Sequence, residues 1–416
     1  MESKLPKSQE LYERALKRIP WGTQTNAKRP DDSLAGIQPW FIEKADGCRI
    51  CDVDGNWYLD YKSALGPIIL GYRRQEVDDA VRRQMEKGVL FSMASPLEIE
   101  VAEQLCEMVL GLERVRFLKT GNEVNNAALR LARAFTGRDK IVTCGYHGHG
   151  DWFACGEGPE PAWFPREGNG VPRALDKLAF RVDYGDSDRL RELFESGGDE
   201  LAALIMVPYD WDEEVAGEFV KLARELTSTH GTVLIFDQVL TGFRLATGGA
   251  QQYFRVIPDL TTYAKSIANG YPLAAYGGRA DIMKKLSDVL LTSTYAGENL
   301  SLAASKETLR IIANEGVVDH IWEMGTRLKT GFDRLASELG LDAKSIGLAP
   351  VPRFKFSPDP IADAQARHVF FRELFVRGIF AADPFLISFS HMESDIDETI
   401  NAMGEALQQV AKEVGA

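Results

Sequence analysis

Two side chains that could act together in catalysis each follow a predicted strand. Asp237 comes directly after the apolar residues 233–236, and Lys265 comes shortly after residues 258–262, among small and apolar neighbours. A buried carboxylate needs a cationic partner, and a partly buried lysine has a lowered pKa and forms an imine with an aldehyde. Taken alone, Asp237 is better explained as a loop or helix-capping residue, and Lys265 as a solvated loop lysine.

Two further stretches are suited to a flat, anionic ligand. Thr120, Gly121 and Asn122 stand at the predicted start of an amphipathic helix, where free N–H groups and the helix dipole favour an anion. Tyr146 and His147 follow a predicted strand, and a tyrosine at that place can stack on a flat ring. A plain helix cap and a core tyrosine explain these residues when each stretch is taken alone.

In this order along the chain, the four features describe a site for pyridoxal phosphate. The phosphate would bind the helix start at Gly121 and Asn122, and the ring would stack on Tyr146. Asp237 would pair with the pyridine nitrogen and keep it protonated, while Lys265 would hold the aldehyde as an imine. A protonated ring stabilises a substrate carbanion by accepting its electron pair. The sequence therefore predicts an enzyme with pyridoxal phosphate as its cofactor.

The elements that must position these residues follow an α/β pattern. From about residue 75 the sequence alternates between amphipathic helices and short apolar runs, such as residues 201–207 and 232–236 with a helix at 218–230 between them. Continuous apolar runs are typical of strands that are covered on both faces, so a mostly parallel sheet is predicted. After residue 300 a long helical stretch, short strands near 353–356 and 385–390, and a final helix predict a smaller α+β domain.

Composition and charge argue against several classes of function. The net charge is −13, from 48 basic and 61 acidic residues, which makes the chain a poor nucleic-acid binder. No apolar stretch is long enough to span a membrane, and the start of the chain has no apolar signal core, so a cytoplasmic protein is expected. Five scattered cysteines and six histidines form no convincing metal motif, and Cys48 and Cys51 are a single pair of ligands without a second pair.

The sequence resembles the class III (ω-type) aminotransferases, near the glutamate-1-semialdehyde aminomutase branch, over nearly its whole length. The stretches that carry this resemblance are Cys51-Asp52-Val53-Asp54-Gly55-Asn56, Gly71-Tyr72, residues 130–138 (RLARAFTGR), Tyr146-His147-Gly148, residues 235–244 (IFDQVLTGFR), Pro258-Asp259-Leu260 and residues 264–278 (AKSIANGYPLAAYGG).

The resemblance implies a fold type I enzyme with a large domain, built on a mostly parallel sheet of the seven-stranded type, at residues 71–300. The smaller α+β domain would comprise residues 301–416, joined by the N-terminal segment 1–70. The family also implies a homodimer with shared active sites, in which Thr294 reaches the cofactor phosphate of the neighbouring subunit. Val239 would pack on the ring face opposite Tyr146, and Lys265 would also carry the proton between the two imine carbons.

The sequence departs from the family pattern at several positions. Gln238 stands where the family has glutamate, which would remove one carboxylate beside the ring. Asn122 replaces the usual threonine or serine of the phosphate loop, and Glu298 and Asn299 replace Asn-Pro in a later loop. The arginine that ω-aminotransferases carry near the C-terminus has no obvious match, and residues 387–391 resemble the aminomutase branch instead.

Two groups of charged residues give opposite indications about the substrate. Lys28 or Arg29 matches the carboxylate-binding arginine of the aminomutase branch and is a candidate to hold the α-carboxylate of an amino donor such as glutamate. Acidic residues would instead form a negative mouth that attracts a polyamine or an amino sugar. Those residues are Asp210, Asp212, Glu213, Glu214 and Glu298. Solvated loop cations and a solvated helix N-terminus are the alternative explanations.

From the acidic residues and the missing acyl-acid signatures, we predict glutamate-dependent amination of a 6′-aldehyde on an aminoglycoside, in antibiotic biosynthesis. One alternative is an aminomutase of the glutamate-1-semialdehyde type, which moves an amine within one molecule. Another is an aminotransferase that makes precursors of surface polysaccharides. A non-catalytic binding protein is disfavoured because Lys265 and Asp237 are both present.

Overall fold

The computed structural model describes residues 5–159, 170–210 and 213–414. The chain forms two compact units, a terminal unit of Met1–Arg74 with Asp319–Ala416 and a central unit of Gln75–Val318. The predicted division at residues 70 and 300 would instead place the helix Asn299–Asn314 with the C-terminal segment. In the structure this helix packs on two helices of the central unit, Gln75–Met85 and Pro96–Met108, because its apolar side chains are buried there.

Among the described residues, the N-terminal part of the terminal unit contains one α-helix and three short antiparallel strands. They are α1 (Pro6–Leu16), β1 (Ile42–Asp46), β2 (Arg49–Asp52) and β3 (Trp57–Asp60). Gly55 lies in the tight turn between β2 and β3 with φ +96°, a conformation that glycine adopts without steric cost.

The central unit alternates between helices and strands. Its elements in chain order are α2 (Gln75–Met85), α3 (Pro96–Met108), β4 (Arg114–Leu118), α4 (Gly121–Thr136), β5 (Lys140–Cys144), α5 (Asp151–Ala154), β6 (Ala179–Arg181), α6 (Ser187–Gly197), β7 (Leu201–Met206), α7 (Glu213–His230), β8 (Val233–Asp237), α8 (Ala250–Phe254), β9 (Leu260–Tyr263), β10 (Ala274–Gly278), α9 (Ala280–Met283) and α10 (Asn299–Asn314).

These strands form one seven-stranded sheet in the order β4-β10-β9-β8-β7-β5-β6. All neighbouring pairs from β9 to β6 are parallel, and only β10 runs antiparallel to both of its neighbours. The prediction of a mostly parallel, seven-stranded α/β sheet is therefore confirmed.

Apolar residues cover the sheet on both faces. In β7 every residue is buried, and its side chains enter two different clusters, so that Ile205 packs with α4 while Leu204 and Met206 pack with α6 and α7. Burial on both faces explains why the strand sequences are continuously apolar rather than alternating.

The C-terminal part of the chain supplies the remaining elements. They are α11 (Val317–Glu338), β11 (Lys344–Ile346), β12 (Arg353–Lys355), α12 (Pro360–Val376), β13 (Ile379–Phe380) and α13 (Glu393–Val414). Strand β13 pairs in parallel with β3, so the two chain termini share one four-stranded sheet in the order β1-β2-β3-β13.

Two local expectations are wrong. The long helical stretch after residue 300 is interrupted between α10 and α11, where Gly316 has φ +68°. Residues 385–390 form no strand; the N–H groups of Leu386 and Phe389 instead donate to the carbonyl oxygens of Tyr61 and Ile69 at 2.8 Å each. In the part of the chain that the structure describes, we find no helix long and apolar enough to cross a membrane.

Candidate active site

Three of the predicted cofactor residues lie at one edge of the sheet of the central unit. Asp237 is the last residue of β8, Lys265 stands two residues after the end of β9, and Tyr146 stands two residues after the end of β5. These three strands are parallel members of the same sheet, so their carboxyl ends meet at one edge. Ligands in open α/β sheets bind at that edge.

The Asp237 carboxylate is held by three donors. It is only 4% exposed; its Oδ2 atom accepts from Nδ2 of Asn125 at 2.7 Å and lies 2.8 Å from Nδ1 of His147. Its Oδ1 atom accepts from the N–H of Val239 at 3.0 Å. Asn125 in turn accepts from the hydroxyl of Thr262 at 2.7 Å. This network fixes the direction in which the carboxylate points.

His147 lies behind Asp237. Its side chain is fully buried, and its Nε2 atom is 3.1 Å from the carbonyl oxygen of Cys144. A carbonyl oxygen only accepts, so Nε2 donates to Cys144, and Nδ1 faces the Oδ2 atom of Asp237. The predicted role of His147 in cofactor binding is therefore an indirect one in this geometry, through the carboxylate of Asp237.

Lys265 combines a strained backbone with a lowered pKa. Its φ is +47°, in the left-handed region that residues other than glycine adopt at a cost. Burial lowers the pKa of Lys265 to about 8; the negative charge of Asp237 opposes this shift, and the positive charge of the fully buried Arg244 adds to it. About a tenth of the amine is therefore uncharged at pH 7, far more than for a solvated lysine, and the uncharged form is the one that acts as a nucleophile or base.

The start of α4 is a capped helix N-terminus with free N–H groups. Thr120 is the N-cap and shares reciprocal hydrogen bonds with Glu123, whose side chain accepts from the N–H of Thr120 at 2.8 Å. No described residue accepts a hydrogen bond from the N–H groups of Gly121 or Asn122, so both donors remain for a ligand. A helix start with free N–H groups is a binding site for phosphate.

The loop is shaped by close approaches that leave no room for larger side chains. A Cβ atom on Gly121 would lie 2.9 Å from a methyl group of Val239, and one on Gly148 would lie 2.7 Å from Oδ1 of Asn122. Oδ1 of Asn122 also accepts from the N–H of His149 at 3.0 Å, which joins α4 to the loop that carries Tyr146.

Tyr146 presents an open aromatic surface at this edge. It is 56% exposed, and its ring makes an edge contact with Phe153 at 5.5 Å between centroids. Burial of its inner part and the nearby charge of Asp237 raise the pKa of Tyr146. The ring is thus neutral and available for stacking.

The chemistry of these groups fits pyridoxal phosphate. Free N–H donors stand where the phosphate is expected, a buried carboxylate stands where the ring nitrogen is expected, and an amine with a pKa of about 8 belongs to the same edge. No group of three or more metal-ligating side chains occurs among residues 5–159, 170–210 and 213–414.

Gln238 lies elsewhere than expected. It is fully buried on the side of the chain opposite to Asp237, where its amide oxygen accepts from the N–H of Ala250 at 2.5 Å. Its Nε2 atom is within 2.9 Å of acceptor atoms on Gln251, Thr261 and Tyr263. The expectation that this position changes the charge beside the ring is wrong, since successive residues at a strand end point in opposite directions.

Replacing Gln238 by leucine is expected to destabilise the fold by about 2–4 kcal/mol, because it leaves several buried polar groups without a partner. Chemical denaturation monitored by circular dichroism measures this difference. Replacing the exposed Gln9 by leucine is the control and should have a much smaller effect. Equal stability of the two variants would contradict the assignment of this network.

Glu298, predicted to bind substrate, is committed to contacts within the chain. It caps the N-terminus of α10, and its carboxylate lies 3.0 Å from Nζ of Lys119. Asp210 is partly buried, Asp212 lies outside the described residues, and so do the side chains of Glu213 and Glu214. Thr294 is exposed on the loop before α10.

Lys28 and Arg29 belong to the terminal unit. Both are exposed and line a cavity of about 420 Å³ within that unit. Lys62, which was not predicted, lines the same cavity and donates to the carbonyl oxygen of Ala27 at 2.7 Å. Burial lowers the pKa of Lys62, and the charge of Lys28 adds to this shift while Asp60 opposes it.

Asn125 and Thr262 are functional candidates that the sequence analysis missed. Asn125 is 1% exposed on the buried face of α4, and Thr262 is fully buried in β9. The sequence does contain a signal for Asn125, which is a polar residue among the apolar positions of an amphipathic helix. A buried amide at such a position requires hydrogen-bond partners.

Comparison with known proteins identifies the family. A sequence model of the class III aminotransferases matches residues 34–342. The chain is 36% identical to a glutamate-1-semialdehyde 2,1-aminomutase of Syntrophobacter fumaroxidans, over 96% of this chain and 97% of that protein. It is 31% identical to a 3-aminobutyryl-CoA aminotransferase of Cloacimonas acidaminovorans, over 98% of each chain.

Solved structures agree with this result. An ω-transaminase from Sphaerobacter thermophilus superposes with a TM-score of 0.86 at 27% identity, over 97% of both chains. A transaminase with bound pyridoxal phosphate superposes with a TM-score of 0.89 at 26% identity, over 100% of both chains. The predicted aminoglycoside 6′-aminotransferase finds no support in these comparisons. The chain belongs to the class III aminotransferases, fold type I enzymes that depend on pyridoxal phosphate.

Proposed function

We propose that the enzyme moves an amino group on a small, carboxylate-bearing amino aldehyde, as a glutamate-1-semialdehyde aminomutase does. The observation that carries this proposal is the cavity of the terminal unit, whose largely apolar lining includes three cations, Lys28, Arg29 and Lys62, against the one carboxylate of Asp60. Neither Lys28 nor Arg29 forms an ion pair with a carboxylate of the described residues. Such a lining attracts an anion with a short apolar body and repels a polycation.

The charges of the central unit no longer favour an aminoglycoside. Lys119 balances the charge of Glu298, and the cap of α10 uses both oxygens of that carboxylate. Of the acidic side chains proposed for a negative mouth, the structure describes only Asp210 besides Glu298. The relatives named as glutamate-1-semialdehyde aminomutases support the same change of substrate class.

The residues of the site have separable roles in this proposal. The cofactor, when bound, supplies an aldehyde that captures the amine and a ring that takes up an electron pair. The N–H groups of Gly121 and Asn122 would hold the phosphate, with Thr120 capping the helix behind them. Tyr146 and Val239 would cover the two faces of the ring, Asp237 would accept a hydrogen bond from the ring nitrogen, and Lys265 would move the proton.

Glutamate 1-semialdehyde itself tests the proposed reaction. Moving its amine from carbon 2 to carbon 1 yields 5-amino-4-oxopentanoate, and proton NMR follows both compounds. We expect conversion by the loaded enzyme without consumption of a separate amino donor. The enzyme would instead be an intermolecular aminotransferase if it does not convert this compound but releases 2-oxoglutarate from added glutamate.

Replacing Arg29 or Lys28 by alanine is expected to raise KM for the carboxylate substrate by about 10–100-fold, with a smaller change in kcat, because a charge-assisted contact is lost. Steady-state kinetics measures both constants. Replacing Arg18, an exposed cation of the same unit that does not line the cavity, should leave KM unchanged. If KM is also unchanged in the Lys28 and Arg29 variants, these two cations do not bind the substrate.

We also propose that the enzyme is a homodimer, as the family resemblance implies, with Thr294 reaching the neighbouring cofactor. Several large apolar side chains of the central unit are exposed, among them Phe91 at 45%, Met93 at 83% and Tyr295 at 60%. Sedimentation equilibrium should give about twice the chain mass of 46.2 kDa. A monomer at micromolar concentration would contradict the proposal. The cytoplasmic location stays a prediction.

A further inference from the structure

A shielded ion pair connects two loops of the central unit. Nζ of Lys119 lies 3.0 Å from Oε2 of Glu298, and the two side chains are only 15% and 13% exposed. By contrast, the pair between Lys306 and Glu100 in the same unit is 51% and 43% exposed. Solvent screens an exposed pair strongly and a shielded pair much less, so breaking the first pair has the larger structural consequence.

Lys119 sits directly before the proposed phosphate loop. It follows the last residue of β4 and precedes Thr120, the N-cap of α4. The N–H groups of Lys119 and Thr120 both donate to Oε2 of Glu123, at 3.1 and 2.8 Å. The position of Lys119 therefore determines where the backbone enters the helix whose first N–H groups would face the phosphate.

Glu298 is equally constrained at its own end. Its carboxylate accepts from the N–H of Leu300 at 2.6 Å and from the N–H and hydroxyl of Ser301 at 3.2 and 2.7 Å. Burial raises the pKa of Glu298, but the hydrogen bonds from Ser301, Lys119 and Leu300 outweigh it, so that the pKa is lowered overall. Glu298 is an ionised helix cap that also holds Lys119.

The next residue fixes this helix start to a third segment. The N–H of Asn299 donates to the carbonyl oxygen of Val89 at 2.8 Å, and its side chain contacts the hydroxyl of Ser95. Contacts on both sides therefore hold Glu298 in place. Because Glu298 is fixed, its ion pair also fixes the position of the Lys119 side chain.

We propose that Lys119 and Glu298 are positioning residues for the phosphate end of pyridoxal phosphate. The pair holds the loop from β4 to α4 so that the N–H groups of Gly121 and Asn122 are already placed for the phosphate. Since the pair is neutral as a whole, it acts by holding the donors in place rather than by attracting the phosphate. This inference rests on the proposed function and explains why Glu298 is acidic.

Cofactor affinity of the apo-protein tests the inference. Titration of fluorescence gives Kd for pyridoxal phosphate and for pyridoxal, which lacks the phosphate. We expect Lys119→Met to weaken pyridoxal phosphate about tenfold or more while Kd for pyridoxal changes less than about twofold. Lys119→Arg keeps the cation and should restore most of the affinity, and Lys306→Met is the control for loss of an exposed pair.

A double-mutant cycle separates positioning from simple charge. We expect Glu298→Gln to weaken pyridoxal phosphate as Lys119→Met does, and the double variant to be no weaker than the worse single one. Three results would each overturn the inference. They are tighter binding of pyridoxal phosphate by Glu298→Gln, losses of affinity that add up in the double variant, and a loss of affinity for pyridoxal as large as that for pyridoxal phosphate. Thermal melts of the apo-proteins identify any variant that fails to fold, and Lys119→Arg with Glu298→Asp then replaces it. Failure of the unaltered protein to bind pyridoxal phosphate would overturn the proposed function instead.

Discussion

Replacing Lys265 by alanine is expected to lower kcat by about four orders of magnitude, because the variant loses both the amine that captures the aldehyde and the group that moves the proton. The phosphate loop is untouched, so the variant should still bind pyridoxal phosphate without a covalent bond. Single-turnover kinetics and equilibrium dialysis measure the two quantities. Replacing the exposed Lys284 by alanine is the control. Turnover near that of the unaltered enzyme in the Lys265 variant would refute the assignment.

The pH dependence follows from the same side chain. Burial lowers the pKa of Lys265 to about 8, and only the uncharged amine attacks an aldehyde. The rate at which the apo-protein captures pyridoxal phosphate should therefore rise about tenfold per unit from pH 6 to pH 7 and level off above about pH 8. Stopped-flow absorbance measures this rate. A rate that keeps rising to pH 10 would show an ordinary, solvated lysine.

The second large effect is expected for Asp237. Its replacement by asparagine removes the negative charge that stabilises a protonated ring and should lower kcat by about three orders of magnitude. The amide group has nearly the same shape, so the fold should keep its stability to within about 2 kcal/mol, which includes the cost of facing the donors of Asn125 and Val239. Kinetics and denaturation of the same preparation measure both effects.

Asn125 offers the matched comparison. It donates to the Asp237 carboxylate without reaching the expected ring position, so Asn125→Ala should cost about tenfold in kcat rather than a thousandfold. An equal loss in both variants would mean that the charge of Asp237 matters less than the network around it.

The proposed catalytic pair could be predicted from the sequence because each residue closely follows a predicted strand. Asp237 and Lys265 each follow a strand, and parallel strands bring their carboxyl ends to one edge of the sheet. The same rule does not place Gln238, since one residue further along the chain the side chain turns into the core and contacts Tyr263.

Pairings over long distances along the chain could not be predicted. Glu298 looked like a solvent-facing acid because its partner Lys119 is 179 residues away in sequence. His147 was expected at the cofactor because it adjoins Tyr146, yet it is buried behind Asp237. In both cases the role of the side chain depends on a contact with a residue that is distant in sequence and close only in the folded chain.

The strands that escaped prediction have physical reasons to do so. Strand β4 lies at the edge of the sheet, and only its last two residues are buried. Strand β10 consists mainly of alanine and glycine, which have weak β-propensity, although all five of its residues are buried. The long central strands β7 and β8 are fully buried and apolar, and their apolar runs predicted them directly.

The central claim is that pyridoxal phosphate is bound covalently by the amine of Lys265. Reduction of the loaded enzyme with borohydride makes such a bond permanent, and mass spectrometry of the digested protein then locates the pyridoxyl group. The account predicts a single modified residue, Lys265, in the peptide that continues into Ser266 and Ile267. A pyridoxyl group on any other lysine, or none on a protein that retains the cofactor, would contradict it.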